Sequence, residues 1–97
     1  MPRYVTLINW TEQGIAGFKD TVDRYEAAQQ QFEQLGVEFV DVYWTLGDHD
    51  LVSVVEAPDD ESLTAALLSL GAGGNVRTKT MRAFSRDEMR GVIDKAP

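Results

Sequence analysis

The chain has no cysteine, three prolines and a single histidine among 97 residues. Without cysteine there is no thiolate nucleophile, no disulfide and no Cys-based zinc or iron–sulfur site. A lone histidine lacks the convergent ligands that metals need, so neither a metal nor another cofactor is expected. Basic residues are scarce: nine Lys and Arg stand against sixteen Asp and Glu, for a net charge of −7. Phosphate binding needs a basic footprint, so nucleic acid is not expected as a partner. No apolar run approaches the ~20 residues of a membrane span, so no membrane is expected either. The opening Met1-Pro2-Arg3-Tyr4-Val5 leads straight into a strand-like pattern and does not read as a signal peptide. Small secreted domains often carry disulfides, which makes the cytoplasm the expected compartment.

What is present suits one small domain over residues 1–97. A chain of this length buries only roughly two thirds of its unfolded surface, so self-association is a natural way to bury more. Charge is uneven along it: residues 77–95 carry about +3 and the remainder about −10. That basic stretch reads as a solvated face, with Arg77 and Arg82 as candidate contacts for an anion or an acidic surface.

Arg3 to Trp10, rich in β-branched and aromatic residues, predicts a strand with Tyr4, Thr6, Ile8 and Trp10 on one face and Val5, Leu7 and Asn9 on the other. Thr11 is placed to cap a helical turn. Val22, Tyr25, Ala28, Phe32 and Leu35 recur at three- and four-residue steps, which predicts a helix over 21–35 ended by Gly36. Val37–Trp44 and Asp50–Ala57 predict two strands joined by a hairpin whose turn holds Gly47 and Asp48. Asp59, Asp60 and Glu61 open a second helix with Leu63, Ala66, Leu67 and Leu70 inward, stopped by Gly71, Gly73 and Gly74. Val76–Phe84 predicts the fourth strand. Ser85 and Glu88 form a capping box for a last helix.

The order β-α-β-β-α-β predicts an α+β, ferredoxin-like fold: a four-stranded antiparallel sheet with two helices on one face. Strands one and two hold large apolar groups on both sides, where a single-sided sheet would show a polar outer face. The expected uncovered groups are Tyr4, Ile8 and Trp10, with either Phe39 and Tyr43 or Val40, Val42 and Trp44. A homodimer, or an assembly of dimers, with sheets opposed is therefore expected.

Leu46-Gly47-Asp48-His49-Asp50-Leu51-Val52, followed by Val55-Glu56-Ala57-Pro58-Asp59-Asp60-Glu61, resembles the GYD domain family. The opening TLINWTEQGI, the segment DRYEAA, and the stretch from Gly74 to Phe84 are similar to its other recurring blocks. The likeness covers almost the whole chain. Gly47 and Asp50 match the Gly-x-Tyr-Asp-like turn, while His49 stands at the tyrosine position. The resemblance implies a dimeric α+β barrel. Barrels of that kind include cofactor-free monooxygenases, isomerases, haem-degrading enzymes and ligand-sensing domains, and fold alone does not choose among them.

Histidine is the side chain that ordinarily titrates near neutrality, so His49 is the candidate for proton transfer. Asp50 suits a hairpin that needs an acceptor for backbone N–H groups. Asn9 is a poor strand former and needs a partner or a ligand if it faces inward. Trp10 and Tyr43 supply aromatic walls at the strand ends, and Arg77 an anion contact. Together these six residues place a small-molecule pocket between sheet and helices, near the hairpin. The Gly71–Asn75 run lacks the lysine of a phosphate loop and reads as a connection. No nucleophile or dinucleotide motif is present. The expected function is a dimeric small-molecule binding or sensing domain. The alternatives are a cofactor-free barrel enzyme acting on an aromatic or polyketide-like molecule, and a structural subunit.

Overall fold

Alternating side chains lay Arg3–Trp10 out as β1, which sits inside the sheet with a neighbour on each side. The computed structural model describes residues 1–97. Strands β2 (Glu38–Trp44), β3 (Leu51–Glu56) and β4 (Val76–Ala83) complete an antiparallel sheet in the order β2-β3-β1-β4. Helices α1 (Glu12–Ala16) and α2 (Thr21–Glu33) lie between β1 and β2, separated by a 3-10 turn at Phe18–Asp20. Helix α3 (Asp60–Ala72) links β3 to β4, and α4 (Arg86–Lys95) follows β4. The α+β, ferredoxin-like order expected from the sequence is present.

Local chemistry sets most boundaries. Thr11 Oγ1 accepts from the Gly14 N–H at 3.1 Å and opens α1. Asp59 opens α3 by accepting from the Ser62 N–H at 2.7 Å, and that bond holds its carboxyl below the usual range. Ser85 and Glu88 make both halves of the capping box at α4. Gly36 after α2 and Gly47 in the hairpin have φ of 74° and 97°, a region in which a Cβ is strained. Gly71 does not stop α3, contrary to expectation; the helix continues to Ala72 and the chain turns at Gly74. One glycine costs a helix only about 1 kcal/mol, and burial of Leu63 and Ala66 along α3 outweighs it.

The main core forms where Tyr4 and Val55 of the sheet meet Phe32 of α2 and Leu63 and Ala66 of α3. Each large side chain buried there stabilises by roughly 1.5–3 kcal/mol. A smaller core gathers Ile8, Leu51 and Val76 nearer the other end of the sheet. Helix α2 ends at Glu33, two residues before the expected end, so Leu35 lies beyond it; Leu35 and Val22, near the start of the helix, are both exposed.

Cross-strand register divides the sheet into two faces. Tyr4, Thr6 and Ile8 are buried toward the helices, with Val55, Ser53 and Leu51 opposite them on β3. Val5, Leu7, Val52 and Val54 lie on the open face and are only half-buried. This corrects the expected set: Tyr4, Ile8 and Trp10 belong to the helix side. On β2 neither predicted grouping holds. The register shifts between Phe39 and Asp41, leaving Val40 as a bulge. An extra residue reverses the strand's phase. Phe39, Val42 and Trp44 therefore share the helix side, while Asp41 and Tyr43 share the open one.

Candidate functional site

The gap between sheet and α2 beyond the main core forms a cleft of about 260 Å³. Small side chains create it: α2 presents Ala27 and Ala28 where bulkier residues would fill the space. The sheet supplies an apolar floor of Ile8, Val42, Leu51 and Val76, with Trp10 and Phe39 as aromatic walls. The far rim is Leu70 of α3 and the Gly73–Asn75 connection.

Tyr25 joins the aromatic wall, edge-on to Phe39 at 5.1 Å and to Trp44 at 5.9 Å between ring centroids. Burial, and secondarily the charge of Glu26, push its phenol above the ordinary value, so it stays a neutral donor at physiological pH. Trp44 Nε1 donates to Thr21 Oγ1 at 3.0 Å at the start of α2. Arg24 donates to the carbonyls of Gly17 at 2.9 Å and Gly14 at 3.1 Å. The connection before β4 is seated against α1: Thr11 N–H donates to the Asn75 carbonyl at 3.0 Å, and Gln13 Nε2 donates to Asn75 Oδ1 at 3.0 Å. A Cβ on Gly14 would lie 1.9 Å from that carbonyl oxygen, so this approach requires glycine.

Four of the six residues singled out from the sequence meet at the end of β1. His49 Nδ1 lies 2.8 Å from Asn9 Oδ1, and Asn9 Nδ2 donates to the Asp48 carbonyl at 2.8 Å. Asp50 Oδ2 accepts from the Trp10 N–H at 2.9 Å. The Asp50 N–H in turn donates to the Ile8 carbonyl at 2.9 Å. Asp50 thus pins the hairpin to β1 through its side chain and N–H, while its carbonyl closes the turn by accepting from the Thr45 N–H at 2.9 Å. Of the six, only Trp10 lines the cleft. Asn9 follows the alternation of β1 onto the opposite face, and Tyr43 is 62% exposed on that face because of the bulge. Arg77 lies across from Asn9 on β4 and edges a separate groove against Thr64 and Leu68 of α3.

Sequence reasoning assigned no site role to Arg24 or Thr21, read Tyr25 only as part of the α2 stripe, and read Asn75 only as the end of a connection. Arg24 sits between Val22 and Tyr25 of the apolar stripe of α2, and helical spacing alone treats such a charged residue as a solvated neighbour. Asn75 closes a glycine-rich connection, and nothing local shows that the connection folds against α1. No three His, Asp or Glu side chains converge as a metal site.

Residues 4–93 match the GYD domain family, and the chain belongs to it. The chain is 34% identical over 85 residues to the glutamine synthetase and cystathionine beta-lyase binding protein of Thermus thermophilus, covering 87% of this chain and 90% of that one. It is also similar to the crystal structure of TTHA0845 from Thermus thermophilus, with a TM-score of 0.56 and 25% identity over 88% of this chain and 95% of that one. An ACT domain protein from Streptococcus pneumoniae shares the fold, with a TM-score of 0.50 and 18% identity across 100% of this chain and 97% of that one.

Proposed function

We propose that this GYD-domain chain is a small-molecule binding domain that works as a homodimer in the cytoplasm. The observation carrying the reading is the cleft, whose apolar floor and aromatic walls surround a few polar groups, as ligand sites do. Asp50 holds the backbone of Trp10, and His49 and Asn9 brace the same strand end, so the hairpin positions a wall of the cleft. Thermal-shift hits from a metabolite library should move the Trp10 indole N–H resonance more than that of Trp44. Hits that leave Trp10 unmoved would place binding elsewhere and overturn this reading.

The dimer is supported by the open face. Val5, Leu7, Val52 and Val54 have no helix over them, and Met81 is 50% exposed beside them. Pairing two such faces removes apolar surface from water at ~25 cal/mol per Å², which must exceed an association cost of roughly 4–15 kcal/mol. Sedimentation at micromolar concentration should show a dimer for the wild type and a monomer for Leu7→Glu. A wild-type monomer would sink the dimer.

A second reading, a docking subunit for a metabolic enzyme, is favoured by the Thermus thermophilus relative named for binding two enzymes. Helix α4 gives it a surface, with Met89, Val92 and Ile93 exposed at i, i+3 and i+4 spacing on one face. Native mass spectrometry with a glutamine synthetase from the same source distinguishes it: a mixed complex supports docking, and two unmixed species reject that partner.

A further inference from the structure

We infer that the ligand of the cleft is an aromatic monocarboxylate whose carboxylate meets Arg24 and whose ring lies against Trp10, Tyr25 and Phe39. This rests on the cleft being a small-molecule site and names the class of molecule it takes.

Charge is the first argument. Arg24 is the one charged side chain among the sixteen residues lining the cleft, which include no Asp, Glu, Lys or His. Its two hydrogen bonds go to backbone carbonyls, which orient the guanidinium without neutralising it. The ion pairs of the structure are Arg3 with Glu56 and Arg82 with Glu88, so Arg24 has no carboxylate partner. A guanidinium has five N–H donors in a planar fork, and the two carbonyl bonds leave others free. A half-buried cation beside apolar walls is satisfied best by a carboxylate, which accepts two of those donors at once.

Asn75 and Thr21 add donors beside Arg24, while Gln31 and Ser69 bring both donors and neutral acceptors to the lining. Gln13 occupies Asn75 Oδ1, which orients the amide and leaves its NH2 group without a partner. Thr21 Oγ1 accepts from Trp44 and retains its own O–H to donate.

The same inventory excludes other ligands. An amino acid or an amine brings an ammonium group, and the lining has no carboxylate to receive it. A phosphate dianion would meet a single cation. At about 260 Å³ the cleft falls just below the ~300–1,000 Å³ range of drug-sized ligands, so the body is one or two rings. Aromatic walls favour a planar body through offset and edge-to-face contacts.

Three indoles of matched shape test the class: indole-3-acetate, indole-3-acetamide and tryptamine, titrated by calorimetry and followed at the Trp10 indole resonance. The wild type should bind the acetate at least tenfold more tightly than the amide and should not bind tryptamine. Arg24→Gln should bring acetate and amide to equal affinity, while Arg24→Lys keeps part of the preference. Equal affinity of the wild type for acetate and amide, with Trp10 shifted, overturns the carboxylate class and leaves the cleft as a binding site. No binding of any of the three, with Trp10 unmoved, overturns the class and counts against the cleft as well. Should Arg24→Gln fail to fold once the Gly14 and Gly17 carbonyls are released, the wild-type series decides the matter alone.

Discussion

His49 and Asn9 meet side chain to side chain, Nδ1 to Oδ1, at 2.8 Å, bridging the hairpin and the end of β1. The histidine at the family's tyrosine position therefore has a structural partner. With Asn9 also donating to the Asp48 carbonyl, the hairpin is laced to β1 by side chains as well as by backbone.

Asp50 is the stronger of the two hairpin ties, because it satisfies a backbone N–H that β3 no longer reaches. Asp50→Ala should lower stability by about 1–2 kcal/mol, the cost of a lost charged acceptor and an orphaned donor. His49→Ala should cost less than about 1 kcal/mol, since Asn9 can turn to water. Urea denaturation of both variants checks the order; an equal or larger loss for His49→Ala would refute it.

Gly14→Ala sets a methyl group against the Asn75 carbonyl, 1.9 Å from where the Cβ would stand. Because the obstacle is backbone, α1 must move off the connection before β4, at a cost of roughly 1–3 kcal/mol. The Thr11 N–H to Asn75 bond should open with it, seen as faster amide hydrogen exchange at Thr11. Unchanged exchange and stability would show that the contact is looser than its geometry.

Ser53 runs the other way. Its hydroxyl is buried on the helix face, 1% exposed, with no hydrogen-bond partner, while its neighbour Thr6 pairs with Thr80 at 3.1 Å. A buried unpaired hydroxyl costs about 1–3 kcal/mol, so Ser53→Ala should raise stability by about 1 kcal/mol. A destabilised variant would reveal a partner for the hydroxyl.

Asp59 links stability to pH through the α3 cap. Its carboxyl is lowered from the ordinary 3.8, first by the Ser62 backbone N–H and then by the Ser62 side chain. A lowered folded-state value contributes stability that is full above the unfolded value and is lost as pH falls through the folded one. The melting temperature of Asp59→Ala should therefore trail the wild type at neutral pH, with the gap closing below about pH 4. A gap that persists undiminished at about pH 2 would rule out ionisation of Asp59 as its source.

Element order was legible because each boundary is local. Thr11, Asp59 and Ser85 cap helices that follow them within a few residues, and Gly36 and Gly47 take the positive φ that their turns require. The two faces of β1 followed from strict alternation, which nothing in that strand interrupts. The stop at Gly71 misread a local signal, since packing along α3 overrides a helix propensity of that size.

The sequence by itself determined the strands and helices, their order and caps, and hence the ferredoxin-like sheet, because capping and periodicity act over a few residues. Tertiary structure alone decided the phase of β2, where the bulge at Val40 sends Tyr43 to the open face and Trp44 to the helices. It alone brought Arg24 of α2 and Asn75 before β4 into one cleft with Trp10, and left Asn9 and Arg77 outside it. Those outcomes depend on cross-strand register and on where α1 and α2 settle over the sheet. Both are set by contacts between residues far apart in the chain, and a local pattern carries no record of them.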